Sequence, residues 1–192
     1  DALEFEWRLT GLACDVRVLQ QLQPALRQGD WKVTVAVHGG SQIIAVWPGF
    51  RERVYGIAVD VGSTTIAAHL CDLSSGEVVA AAGIMNPQIR FGEDLMSRVS
   101  WVMMNPGGER ELTDIVRGAI NDLAADVARQ AGIAREDILE ATFVGNPIMH
   151  HLLLGISPVE LGGAPFALAT DSALTLWATE IDLAIHRNDR IY

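Results

Sequence analysis

Apolar residues first recur at helical spacing, at Leu12, Val16, Leu19, Leu22 and Leu26, and Gly29 closes the run. Pro24 falls inside this pattern and removes a backbone donor, so a kink or a division into two short helices is expected there. Two β-branched runs follow over residues 31–38 and 42–47, with Gly39-Gly40 between them as a tight-turn signal. Helix plus hairpin makes a small α+β unit, and Pro48-Gly49-Phe50-Arg51-Glu52-Arg53 reads as the linker that ends it. The chain is thereby divided into residues 1–52 and 53–192.

The second part has a different texture. Residues 54–60 and 65–71 are strand-like and joined by Val61-Gly62-Ser63-Thr64, and a third run over 77–84 follows Ser74-Ser75-Gly76. These runs predict a three-strand meander. Leu95, Met96, Val99, Val102 and Met103 mark a helix that starts near Gly92 and breaks at Asn105-Pro106-Gly107-Gly108. A longer helix is expected over 109–131, with Leu112, Ile115, Val116, Ala119, Ile120, Leu123 and Val127 on one face and Gly132 as its stop. Both stripes must be buried against a sheet. A fourth strand over 138–145 and a short helix over 147–154 follow. Beyond Ser157 the pattern weakens: a helix is expected over 174–180 and one or two strands over 181–192.

Composition narrows the function classes. The chain has 192 residues, 49% hydrophobic and 20% charged, with a formal net charge of −10. Its apolar runs extend about four to eight residues rather than the roughly twenty that a membrane-spanning helix needs, and the acidic balance lacks the clustered basic face that grips nucleic acid. Neither a membrane nor a nucleic acid is expected as partner. The two cysteines, Cys14 and Cys71, are far apart in sequence, which argues against a disulfide framework or a cysteine-ligated cluster and for a reducing cytoplasm. With Asp1 first and a strand-like Arg190-Ile191-Tyr192 last, the sequence reads as a piece of a longer protein.

Three places carry candidate chemistry. Asp60-Val61-Gly62-Ser63-Thr64-Thr65 puts a carboxylate at a strand end, followed by a Gly and hydroxyl residues in a turn. Such a turn gathers backbone N–H groups and hydroxyls into a patch that can hold a phosphate chain, with Asp60 facing Mg²⁺ through water. A plain hairpin turn with an Asx-type bond is the competing reading. Around Asn86-Pro87, the residues Gln88, Arg90, Asp94 and Arg98 either line a cleft, with an Arg on a terminal phosphate, or form only a helix entry with Arg98 paired to Asp94. Gly145 and Asn146 stand at a strand's carboxyl end, where open α/β sheets place ligands, although Asn146 also suits a helix N-cap. His150 and His151 are adjacent on a helix and point about 100° apart, so they do not chelate one metal as an i, i+4 pair would.

Four motifs in order resemble one family. They are Tyr55-Gly56-Ile57-Ala58-Val59-Asp60-Val61-Gly62-Ser63-Thr64-Thr65, then Asn86-Pro87-Gln88 with Phe91-Gly92-Glu93-Asp94-Leu95-Met96-Ser97-Arg98, then Gly145-Asn146-Pro147-Ile148-Met149-His150-His151, then Leu161-Gly162-Gly163-Ala164-Pro165-Phe166. Together they look like the ATP-dependent reductive activators of corrinoid-dependent enzymes, members of the superfamily of acetate and sugar kinases, heat-shock cognate protein and actin. The resemblance implies an α/β fold: a ribonuclease-H-like (actin-like ATPase) half-domain with a mixed sheet and flanking helices, preceded by a small α+β middle domain with a possible homodimer contact. It implies return of inactive Co(II) to Co(I) on a corrinoid protein or corrinoid methyltransferase, with ATP and Mg²⁺ as cofactors. The phosphate role falls on Asp60, Gly62, Ser63, Thr64 and Thr65, cleft positions on Gly145 and Asn146, and water-mediated Mg²⁺ on Asp60. Family members carry a two-iron two-sulfur cluster on an N-terminal ferredoxin domain, whose cysteines are absent from this chain. Ser63 stands where many relatives have Thr, which keeps the hydroxyl; Pro147 after Asn146 is a second departure. A small-molecule kinase of the same superfamily and a non-catalytic interaction fragment remain the alternatives.

Overall fold

The computed structural model describes residues 2–186 and 190–192; the part of the expected strand region that falls on 187–189 lies outside them. The described chain divides into two compact units, Asp1–Val54 and Tyr55–Tyr192.

In the first unit the elements are α1 (Ala2–Trp7), β1 (Ala13–Cys14), α2 (Val16–Gln28), β2 (Val33–His38) and β3 (Gln42–Pro48). β2 and β3 are antiparallel, joined through Gly39 and Gly40, whose positive φ values of 56° and 71° suit glycine. α2 continues through Pro24 as one helix, so the expected division into two short helices does not occur. Pro24 lies on the exposed side of the helix, so the missing hydrogen bond leaves a carbonyl that water can serve. α1 and the two-residue β1, which pairs parallel to β3, were not legible in the pattern.

Among the described residues the second unit carries a six-stranded sheet and three α-helices. Its elements are β4 (Tyr55–Val61), β5 (Thr65–Asp72), β6 (Val78–Met85), α3 (Leu95–Met104), α4 (Gly108–Ala131), β7 (Ile138–Gly145), α5 (Pro147–Leu154), β8 (Leu176–Trp177) and β9 (Arg190–Ile191). The sheet order is β6-β5-β4-β7-β9-β8. β4, β5 and β6 form the antiparallel meander, and β7 returns parallel to β4 after the helical crossover. This is the ribonuclease-H-like arrangement. The helix expected over 174–180 is instead β8 followed by a short 3-10 turn, Ala178–Ile181, because Leu176 and Trp177 pair with β9.

Alternation along β4 decides what is covered. Ile57, Val59 and Val61 are buried with Ile66 and Leu70 of β5 beneath α4, which contributes Leu112, Val116, Ile120, Leu123 and Val127. Each such side chain contributes about 1.5–3 kcal/mol by leaving water. Ala58 and Asp60 are the exposed alternates, so Asp60 emerges at the strand's carboxyl end on the uncovered face. No helix among the described residues is long and apolar enough to cross a membrane.

Candidate functional site

The parallel register of β4 on β7 pairs Asp60 with Val144 and Val61 with Gly145. The turn at residues 62–65 and the Gly145-Asn146 step therefore stand side by side at the carboxyl ends of the two strands. Two glycines allow close backbone approaches here: within the turn a Cβ at Gly62 would lie 2.4 Å from the Thr65 carbonyl oxygen, and between the strands one at Gly145 would lie 3.1 Å from that of Val61. Beside Gly145 opens a cavity of about 310 Å³, lined mainly by apolar residues including Val61, Met149, Leu153 and Tyr192, with His150 on its wall.

Three successive carbonyls of the turn are held from behind. Asn86 Nδ2 donates to Gly62 O at 2.8 Å, Arg98 Nη2 donates to Ser63 O, and the Asn86 backbone N–H donates to Thr64 O at 2.7 Å. A trans peptide points its N–H opposite to its C=O, so drawing the Gly62 and Ser63 oxygens inward directs the Ser63 and Thr64 N–H groups outward. Among the described residues neither N–H donates to any other group. The Asp60 carboxylate and the Thr64 and Thr65 side chains are exposed around them.

This donor set fits the phosphates of a nucleotide. The outward groups are N–H and hydroxyl donors, the glycine space is filled by any Cβ, and one carboxylate stands ready for a hydrated cation. Among the described residues no cluster of three His, Cys, Asp or Glu is placed to hold a metal by itself. A single carboxylate together with substrate phosphates is the usual way Mg²⁺ is held.

The other expected positions divide. Gln88 and Arg98 do not line open space, because both are wholly buried. Gln88 Nε2 donates to Leu112 O at 2.8 Å, while Arg98 gives Nε to Gly92 O at 3.0 Å and Nη1 to Gln88 Oε1 at 3.3 Å. The turn and the segment ahead of α3 offer these oxygens at the depth where a guanidinium reaches them. Burial pushes the Arg98 guanidinium below its usual range, opposed by the charge of Asp94. Arg90 is directed to Glu111, 3.8 Å away, and lies over the Phe91 ring. Asp94 caps α3, accepting from Ser97 N at 2.7 Å, and the Ser97 backbone and side-chain bonds hold its carboxyl below the usual range.

Asn146 accepts from Met149 N at 3.0 Å as the N-cap of α5, and its side-chain amide makes no bond among the described residues. α5 is fixed by Thr113 Oγ1 and Arg117 Nε of α4, which donate to Leu152 O and Leu153 O. His151 is bonded through Nδ1 to Pro147 O at 2.7 Å and accepts at Nε2 from Ala169 N at 3.0 Å, which assigns the Nδ1–H tautomer. Asn86, fully buried, is the residue that sequence reasoning left out of the site. The Asn-Pro step after a strand marks a cap there, not the bonds to the turn.

Comparisons with known proteins agree with one another. Residues 55–192 match the family model of the RACo middle region, and residues 1–53 match that of the RACo linker region. The chain is 29% identical over 160 residues to the corrinoid activation enzyme RamQ of Eubacterium limosum, covering 83% of this chain and 27% of that protein. The solved structure of a reductive activator for corrinoid, iron-sulfur protein superposes with a TM-score of 0.83 at 31% identity, covering 100% of this chain and 32% of that one. The chain thus spans less than a third of the length of either relative.

Proposed function

The chain belongs to the RACo family, and from that premise we propose that it supplies the phosphate-binding half of an ATP site in a reductive activator of a corrinoid protein. The observation that carries this reading is the turn at 62–65, with three carbonyls bonded inward and the Ser63 and Thr64 N–H groups left for an anion. Ser63, Thr64 and Thr65 bind the terminal phosphates, Gly62 gives them room, and Asp60 orients a hydrated Mg²⁺. Gly145 and Asn146 approach from β7, where the Asn146 amide offers a further donor. When bound, Mg-ATP supplies the binding and hydrolysis free energy that offsets an uphill one-electron reduction of Co(II) to Co(I).

Coupling of this kind needs two conformations with different affinity for the nucleotide. For one electron, about 59 mV corresponds to a tenfold change in equilibrium. The electron itself comes from an iron–sulfur group outside this chain. The RamQ and solved-activator matches support a corrinoid protein as partner. In the first unit Phe5, Trp7, Trp31 and Phe50 stand largely exposed, which supports a contact with a second copy there.

The test follows the visible spectrum of a Co(II) corrinoid protein, held without oxygen with a low-potential reductant and the intact activator, with and without Mg-ATP. A Co(I) band that appears only with Mg-ATP, and that Asp60→Ala slows on the order of 100-fold without changing the melting temperature, is the expected result. Co(I) formation that ignores ATP overturns the proposal. So does persistent Co(II) while ATP is consumed with small hydroxylated or carboxylated metabolites, which would favour a kinase.

A further inference from the structure

Among the described residues Arg98 is a buried cation without a bonded counter-ion. It is wholly buried, and its partners are the carbonyls of Ser63 and Gly92, the amide oxygen of Gln88 and the sulfur of Met149, all neutral. Among the described residues no carboxylate is bonded to it. Asp94, four residues earlier, contributes only through space and uses its own carboxylate to cap α3. Taking a charge out of water on such terms is expensive unless something offsets it. Three neutral oxygens offset part of the cost. The remainder of the field acts on whatever lies beyond them.

What lies beyond is the turn. The guanidinium bonds the Ser63 carbonyl, and the same peptide presents the Thr64 N–H on its opposite side. A hydrogen bond to a charged donor polarises the peptide it reaches, which makes the far N–H a stronger donor. Met149 and Gln88 fix the guanidinium from the other sides, so its place behind the turn is determined by α5 and by the segment that follows Asn86.

We propose that Arg98 is a positioning residue that acts through the Ser63–Thr64 peptide to make this turn selective for polyphosphates over the uncharged nucleoside. It touches no ligand itself. The inference rests on the ATP reading of the turn and deepens it, because it assigns to one buried charge the turn's preference for an anionic ligand.

The test uses the intact protein and compares calorimetric affinities for Mg-ATP, Mg-ADP and adenosine. The variants are Arg98→Met, Arg98→Lys and Gln88→Glu, the last of which sets a carboxylate against the guanidinium and gives up the Gln88 bond to Leu112 O. Arg98→Met is expected to weaken Mg-ATP and Mg-ADP about tenfold and to leave adenosine within about twofold. Arg98→Lys, which keeps the charge, retains most of the nucleotide affinity. Gln88→Glu weakens Mg-ATP and flattens its salt dependence, and it keeps the test decisive should Arg98→Met fail to fold. Three results overturn the inference. One is wild-type Mg-ATP affinity in Gln88→Glu together with Arg98→Met; another is equal loss of Mg-ATP and adenosine, as a purely structural staple would give. A third is a wild type that binds no Mg-ATP, which overturns the ATP reading and this inference together.

Discussion

Two Asn-Pro steps, Asn86-Pro87 and Asn146-Pro147, follow strands of the same sheet and begin alike. Each Asn sits in extended backbone and caps the residues after it, with Asn86 Oδ1 accepting from Gln88 N at 2.9 Å and Asn146 Oδ1 accepting from Met149 N at 3.0 Å. There the likeness ends. Asn86 is fully buried, and it gives both its amide and its backbone N–H to the turn at 62–65. Asn146 is half-buried beside the same turn and leaves its amide unbonded among the described residues. One dipeptide signal thus serves two roles, one residue shaping the turn from behind and the other facing it from the side. The local signal encodes a cap; the role comes from what the sheet brings opposite.

The largest effect that separates the two is expected at Asn86. Asn86→Ala leaves the Gly62 carbonyl without its buried donor and the Gln88 N–H without its acceptor, a cost of about 3 kcal/mol. Denaturant unfolding measures it, and Mg-ATP affinity should fall with it because the turn loses its shape. Asn146→Ala should cost about 1 kcal/mol, the value of a cap. Its loss of Mg-ATP affinity should be smaller than that of Asn86→Ala; the reverse order would break the assignment of roles.

The smallest effect is one of pH. Burial, and then the neighbouring His151, hold the His150 imidazole below its usual range. With the folded value depressed, the unfolded chain binds the proton more readily, so stability is lost as pH falls through the ordinary histidine range and is retained above it. Amide protection, taken relative to the intrinsic exchange rate at each pH, should fall in α5, which carries His150, while that of residues 87–91 after Asn86 stays unchanged. An equal fall in both segments would contradict a local origin.

Much of the fold was legible where the pattern was long and clean. β7 and α5 occupy 138–145 and 147–154 as expected, since a strand closed by Gly-Asn and a helix bounded by Pro and Gly announce their ends locally. The two-residue β1, β8 and β9 carry no period to read and exist only through their pairing partners. Of the site, the Asp60-to-Thr65 turn was visible from its residue types. The depth of Gln88 and Arg98 was not, because a long cation among capping residues looks like surface. Arg98 is buried where a carbonyl 35 residues away accepts from it, and Asn86 joins the site through one 24 residues away. Such pairings are set by tertiary contact and leave no local trace.

Gly62 offers the most direct test of the turn as a phosphate cradle. An added Cβ would stand 2.4 Å from the Thr65 carbonyl oxygen and must force the turn open. Calorimetric titration of the intact protein with Mg-ATP should show binding in the wild type and a loss of about tenfold or more in Gly62→Ala. Mg-ATP binding of wild-type strength in Gly62→Ala would contradict the account.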